Sequence, residues 1–147
     1  MAYTQLYYHI VWRTKNSVKA ICQDHARDLY MYLYGYCQNH KYKLFRIGGM
    51  EDHIHIFLQL PPTVSISDMV HDIKITAYNF MRDHKDIFPD FTGWGDGYCA
   101  SSKGELEKDK IINYIKGQKE HHKATDYKEE LKALLEECGI SYKEEYL

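Results

Sequence analysis

The segment that most constrains this chain is His53-Ile54-His55-Ile56-Phe57-Leu58-Gln59-Leu60, halted by Pro61-Pro62. Side chains alternate across a strand, so Ile54, Ile56, Leu58 and Leu60 share one face while His53, His55, Phe57 and Gln59 share the other. A wholly aliphatic strand face needs a covering layer of helices, and consecutive prolines cannot continue a ladder. The two imidazoles stand together on the opposite face, about 6–7 Å apart along the chain, close enough to converge on one ion. Glu51 and Asp52 lie just before them, where a carboxylate can orient an imidazole. Taken alone, two histidines at this spacing fit exposed or internally bonded side chains as well as a metal site.

The flanking segments supply the helices and three more strands. Tyr3 to Arg13 alternates Leu6, Tyr8, Ile10 and Trp12 against Gln5, Tyr7, His9, Val11 and Arg13, as a half-buried strand does. Leu29, Tyr30, Leu33 and Cys37 predict a helix over about 24–40. Tyr42 to Gly48 reads as a second strand, with Gly49 beginning a short turn. Ser65 or Ser67 caps a helix carrying Ile66, Met69, Val70, Ile73, Ala77, Phe80 and Met81 on one side. A glycine-rich stretch, Gly93-Trp94-Gly95-Asp96-Gly97, leads into a short strand near Tyr98 to Ser102. One helix over about 105–122 and an amphipathic helix from Tyr127 to Cys138 complete the chain. The order is that of a ferredoxin-like or RRM-like α+β fold: an antiparallel four-stranded sheet (βαββαβ) with helices on one face, plus C-terminal helices.

Composition narrows the class. With 147 residues, 44% hydrophobic and 14% aromatic, the chain is expected to form one soluble domain over 1–147 with a sizeable core. No apolar run is long enough for a membrane span, and the N-terminus does not read as an export signal. Cys22, Cys37, Cys99 and Cys138 form no C-x-x-C pair, so reduced thiols and a cytoplasmic location are expected. The formal net charge of −2 hides an asymmetry: residues 1–50 carry seven Lys/Arg against Asp24 and Asp28, and residues 51–100 carry three against eight acids. A continuous duplex-gripping basic face is not implied, although Arg13, Lys15, Lys19, Lys41, Lys43 and Arg46 can form a local one.

The second chemical signal is Tyr114-Ile115-Lys116-Gly117-Gln118. Residues four apart on a helix are neighbours, so a phenol and an amide project from one face. A tyrosine is a poor nucleophile at neutral pH unless a base or a cation helps remove its proton. With 14 tyrosines in the chain, this pair alone is weak.

Together with the histidines, the pair carries a resemblance. Tyr8-His9-Ile10-Val11-Trp12-Arg13-Thr14-Lys15, then Gly49-Met50-Glu51-Asp52-His53-Ile54-His55, then Gly97-Tyr98 into Ala100-Ser101-Ser102, and finally Tyr114-x-x-x-Gln118 follow one another in a specific order. In this the chain resembles, over nearly its whole length, the single-tyrosine HUH transposases of minimal bacterial insertion sequences and the related REP-associated tyrosine transposases. Glu120-His121-His122 and the ending from Gly139 to Leu147 look like the same family's tail. Lys74-Ile75-Thr76-Ala77 departs from the family's Lys-Gly pattern, and the Gly93–Asp96 stretch is only loosely similar to its Trp-Gln-x-Gly form.

The resemblance implies a DNA transposase acting on single-stranded DNA with hairpin ends, through a 5′-phosphotyrosine intermediate. It implies Tyr114 as nucleophile and His53, His55 and Gln118 as ligands of Mg²⁺ or Mn²⁺, with no nucleotide cofactor. A homodimer is implied as well. Arg13, Lys15, Lys43, Arg46 and Lys74 are candidate contacts to the DNA backbone. Tyr7, His9 and Trp94 are candidates to stack on unpaired bases, whereas Trp12 and Tyr8 are expected in the core; His121 and His122, one turn beyond Gln118, either approach the site or DNA or, the preferred reading, lie at a solvated helix end. Two other readings stay open: a non-catalytic or domesticated single-stranded nucleic-acid-binding protein on this fold, and a zinc hydrolase using His53, His55 and His121 or His122.

Overall fold

The computed structural model describes residues 2–147. Four strands, β1 (Tyr7–Arg13), β2 (Lys43–Met50), β3 (His53–Gln59) and β4 (Cys99–Lys103), form a sheet in the order β2-β3-β1-β4. Every pairing is antiparallel. With α1 (Ala26–Asn39) after β1 and α2 (Ile66–Asp83) after β3, this is the α+β, ferredoxin-like arrangement expected from the element order.

The aliphatic face of β3 does what its pattern demands. Ile54, Ile56 and Leu58 join Ile10 and Trp12 of β1 beneath Leu29, Leu33 and Cys37 of α1 and Met69, Val70, Ile73, Ala77 and Met81 of α2. Burying each such aliphatic side chain stabilises the fold by about 1.5–3 kcal/mol. Ser65 caps α2, its hydroxyl accepting from the Asp68 amide at 3.1 Å. Cys22, Cys37, Cys99 and Cys138 are free thiols, and among the described residues no helix is long and apolar enough to cross a membrane.

The opposite face is covered too, by α3 (Lys108–Lys116), the short α4 (Gln118–His121) and α5 (Tyr127–Glu137). Ile111 and Ile115 of α3 pack on Tyr7 and Phe57. Tyr127, Leu131 and Leu135 of α5 pack on Val11. Gly48 permits the first contact: a Cβ there would stand 3.0 Å from both the Ile115 side chain and its carbonyl oxygen. The helix therefore rests directly on the β2 backbone.

Three expectations are corrected. Gly49 does not begin a turn, because β2 continues to Met50 and Glu51-Asp52 makes the turn into β3. The helix expected over about 105–122 is divided: a 3₁₀ turn at Glu105–Glu107 precedes α3, and Gly117 (φ −90°, ψ 15°) separates α3 from α4. Glycine is a weak helix former, and here it interrupts the stretch between Tyr114 and Gln118. The first strand starts at Tyr7 rather than Tyr3.

Candidate active site

The sheet face under α3, α4 and α5 carries the chemistry. β1 and β3 pair with Val11 opposite His55 and Arg13 opposite His53, which sets His9, His53 and His55 side by side between the two apolar contacts just described. His53 and His55 are fully buried, and His9 nearly so. Buried imidazoles need partners, and each has them. His53 Nδ1 lies 2.7 Å from Asp52 Oδ1, the carboxylate whose position before the strand suggested an orienting role. His55 Nδ1 lies 2.9 Å from His9 Nε2, with the two rings stacked.

Those outer bonds turn both Nε2 atoms inward, toward one carboxylate. Glu130 Oε1 lies 3.1 Å from His53 Nε2 and 3.0 Å from His55 Nε2. The Gln118 amide donates to Glu130 Oε2 at 2.8 Å and presents its Oε1 to His53 Nε2 at 3.0 Å. The Tyr114 hydroxyl donates to Glu130 Oε2 in a short hydrogen bond. His122 Nε2 adds a contact to Oε1 at 3.1 Å, and His121 Nε2 one to Oε2 at 3.4 Å. Tyr114, His53, His55 and Gln118 are thus brought together, on both sides of the Gly117 break.

Electrostatics follow from this crowding. Burial alone would lower the pKa of His53, but its bonds to Asp52 and Glu130 outweigh burial and raise it to about 9. Burial lowers that of His55, and lowers His9 to about 3 with help from the neighbouring His55. Burial works against the Glu130 carboxylate, yet hydrogen bonds from His53 and His55 pull its pKa well below the ordinary range. The Tyr114 phenol is pushed up, first by burial and then by the Glu130 bond, so it rests protonated.

The donor set suits a divalent ion. Ligating atoms of His53, His55 and Glu130 lie within 4.8 Å of one another, as do those of His121, His122 and Glu130. With His53 Nδ1–H directed at Asp52, displacement of the Nε2 proton by an ion would leave a lone pair facing it, the arrangement that tunes histidine ligands elsewhere.

Glu130 escaped the sequence reading, and four residues were misplaced by it. Glu130, at the hub, lies in Tyr-Lys-Glu-Glu-Leu-Lys, which reads as a solvated helix. His9 is no base-stacking residue; nor are Tyr7, packed on Phe45 and Phe57, or Trp94, wedged against Trp12 and Phe91. The signal for His9 was its strand parity, which places it on the histidine face once β1 pairs with β3. His122 is buried at Glu130 rather than solvated. Trp12 does lie in the core, and Tyr8 packs against it.

Among the basic candidates, Lys15, Lys43 and Arg46 are exposed, with Lys43 also lying over the Phe45 ring. Arg13 donates to the Leu147 carbonyl at 3.0 Å. The Lys74 ammonium is held by the carbonyls of Gly95 and Gly97 at 2.9 and 3.3 Å. It braces the glycine-rich loop and lines the cleft between that loop and α2. A cleft of about 420 Å³ adjoins the site at Asp52, His122 and Tyr127. A second, of about 470 Å³, lies between α2 and that loop, away from the histidines.

The family model described as "Transposase IS200 like" matches residues 2–118. The chain belongs to the IS200-like transposase family. It is 28% identical over 120 residues to the transposases for insertion sequence element IS200 of Salmonella typhimurium and Salmonella typhi, covering 79% of this chain and 78% of those. A crystal structure of a candidate transposase from Deinococcus radiodurans R1 superposes with TM-score 0.63 and 25% identity, over 80% of this chain and 93% of that one. A REP-associated tyrosine transposase bound to a REP hairpin shares the fold, with TM-score 0.60 and 12% identity over 83% and 72% of the two chains. The family match takes in Tyr114, His53, His55 and Gln118 and ends at Gln118. Glu130 and the whole of α5 lie beyond it.

Proposed function

We propose that this member of the IS200-like family cleaves and rejoins single-stranded DNA, with Tyr114 as nucleophile and His53, His55 and Gln118 holding Mg²⁺ or Mn²⁺. One observation supports the reading: the Tyr114 hydroxyl, both inward imidazole nitrogens and the Gln118 amide all reach a single buried carboxylate. Tyr114 Oη attacks the scissile phosphorus, the new O–P bond forms, and the bond from phosphorus to the 3′ oxygen breaks. The phenolic proton is lost and the 3′ oxygen gains one, leaving a 5′-phosphotyrosine and a free 3′-hydroxyl. Attack by another 3′-hydroxyl reverses these steps and rejoins the strand, with no nucleotide cofactor needed. A bound divalent ion supplies Lewis-acid polarisation of the phosphate and stabilises the departing oxygen. Two imidazoles favour Mn²⁺ over Mg²⁺.

The substrate in this reading is DNA with hairpin ends, the kind of ligand the REP-associated neighbour holds. Arg13, Lys15, Lys43 and Arg46 contact its backbone, since phosphates reward positive charge without reading sequence. The reading includes a homodimer, although one chain alone supplies Tyr114, both histidines and Gln118.

The deciding experiment is a denaturing gel with labelled single-stranded DNA carrying hairpins that flank the gene, in Mn²⁺ or Mg²⁺. Wild type is expected to give a metal-dependent covalent protein–DNA band that Tyr114→Phe abolishes. Cleavage that survives Tyr114→Phe would transfer the case to water-based hydrolysis at the histidines. Binding without cleavage would mark a nucleic-acid-binding protein on this fold.

A further inference from the structure

From the crowding around Glu130 we infer that this residue, on a helix beyond the family-matched segment, is an additional protein ligand of the divalent ion. The inference rests on the metal-dependent reading above and adds to it a ligand supplied by α5.

Donor atoms of four residues converge on one point beneath α5. His53 Nδ1 faces the Asp52 carboxylate, so it carries its hydrogen there. Its Nε2 faces two acceptors, Gln118 Oε1 at 3.0 Å and Glu130 Oε1 at 3.1 Å. Glu130 Oε1 is also approached by His55 Nε2 at 3.0 Å and His122 Nε2 at 3.1 Å. The Gln118 amide N–H is turned away to Glu130 Oε2, which leaves its oxygen facing His53 Nε2. Two carbonyl-type oxygens and two imidazole nitrogens therefore converge on one point, and the ligating atoms of His53, His55 and Glu130 all lie within 4.8 Å of one another. A small cation satisfies all four at once.

The spacing agrees. Octahedral ligation at about 2.1 Å sets adjacent donors roughly 3.0 Å apart, and the separations of Gln118 Oε1 and Glu130 Oε1 from His53 Nε2, and of Glu130 Oε1 from His55 Nε2, are 3.0–3.1 Å. Nor is Glu130 there by chance of rotamer. It is 2% exposed, and Tyr127, Leu131 and Leu135 fix α5 against Val11 so that the intervening face points at the histidines. An ionised carboxylate so buried requires a compensating charge, which His53 supplies in the ion-free protein and a divalent ion would supply in its place. Its second oxygen meanwhile holds the Tyr114 hydroxyl, so the same residue keeps the nucleophile beside the ion.

The test measures Mn²⁺ binding without DNA, by electron paramagnetic resonance of free Mn²⁺ and by calorimetry. Wild type, Glu130→Gln and the exposed-site control Glu137→Gln are compared, with circular dichroism to check folding. Glu130→Gln is expected to weaken Mn²⁺ binding ~tenfold or more, while Glu137→Gln matches wild type. Unchanged or tighter binding by Glu130→Gln would overturn the inference and make the carboxylate a competitor for the site. Should Glu130→Gln fail to fold, wild-type protein carrying ¹³C-carboxylate glutamate decides the matter. A ¹³C hyperfine coupling to bound Mn²⁺ is expected, and its absence overturns the inference. Wild type that binds no Mn²⁺ at all would instead count against the metal-dependent function itself.

Discussion

The two faces of β3 are buried to the same degree and behave as different materials. Ile54, Ile56 and Leu58 disappear beneath α1 and α2 with nothing required of their neighbours but volume. His53 and His55, one residue away in each case, are equally hidden, yet each ring nitrogen has a named partner. Burial of the first kind is driven by the loss of apolar surface from water. Burial of the second kind is tolerated only while a network of acceptors and donors stays complete. One face is therefore expected to carry stability, and the other to trade stability for a site.

The largest effect that would break this contrast is on the aliphatic side. Ile56→Ala is expected to destabilise the fold by about 2–5 kcal/mol, read as a lower urea midpoint, with Mn²⁺ affinity of the folded protein unchanged. A large loss of metal affinity in the folded variant would mean that the two faces are not separable. On the polar side, Asp52→Asn leaves His53 in place but removes the carboxylate that directs its Nδ1–H. Mn²⁺ affinity is expected to fall by ~10–100-fold, measured by calorimetry, with only a small change in unfolding midpoint. An unchanged affinity would show that the tautomer is set by something other than Asp52.

The smallest effect sharpens the comparison through pH. With its folded pKa raised to about 9, His53 contributes stability that is fully present below its ordinary value of 6.5 and is lost as pH rises through about 9. His9, lowered to about 3, acts in the other direction: folding excludes its proton, so stability is lost as pH falls from 6.5 toward 3. In EDTA, urea midpoints are expected to be highest near pH 6.5 and to decline on both sides. Replacing His9 by Gln should make the acid limb shallower, since His55 and Glu130 still contribute to it, and leave the alkaline limb unchanged. A pH-independent midpoint from 5 to 9 would contradict both assignments.

The same contrast explains what the sequence disclosed. The alternation of β3, the Ser65 cap and the apolar stripe of α2 are local patterns whose outcome depends on neighbours a few residues away, and each was readable. The His-x-His and Tyr-x-x-x-Gln spacings were readable too, though only their joint order carried meaning. Glu130 was not. Its partners lie 8 to 77 positions away, counting from His122 to His53, and within its own helix it is one acid among lysines and glutamates. His9 was hidden for a related reason, since its face is defined only once β1 is set antiparallel to β3. The interruption at Gly117 also went unread, because the apolar spacing of Ile111 and Ile115 leads up to it and the helix resumes one residue later.

The seating of α5 on Val11 has a consequence for how such chains can be divided. Cutting this protein where its likeness to the family model stops would uncover Val11 and Cys99 on one side of the sheet and open His53 and His55 to water. The end of the family match, at Gln118, therefore runs through the middle of a working interior. In this chain the roof over the histidines is therefore supplied by a segment that the match does not reach.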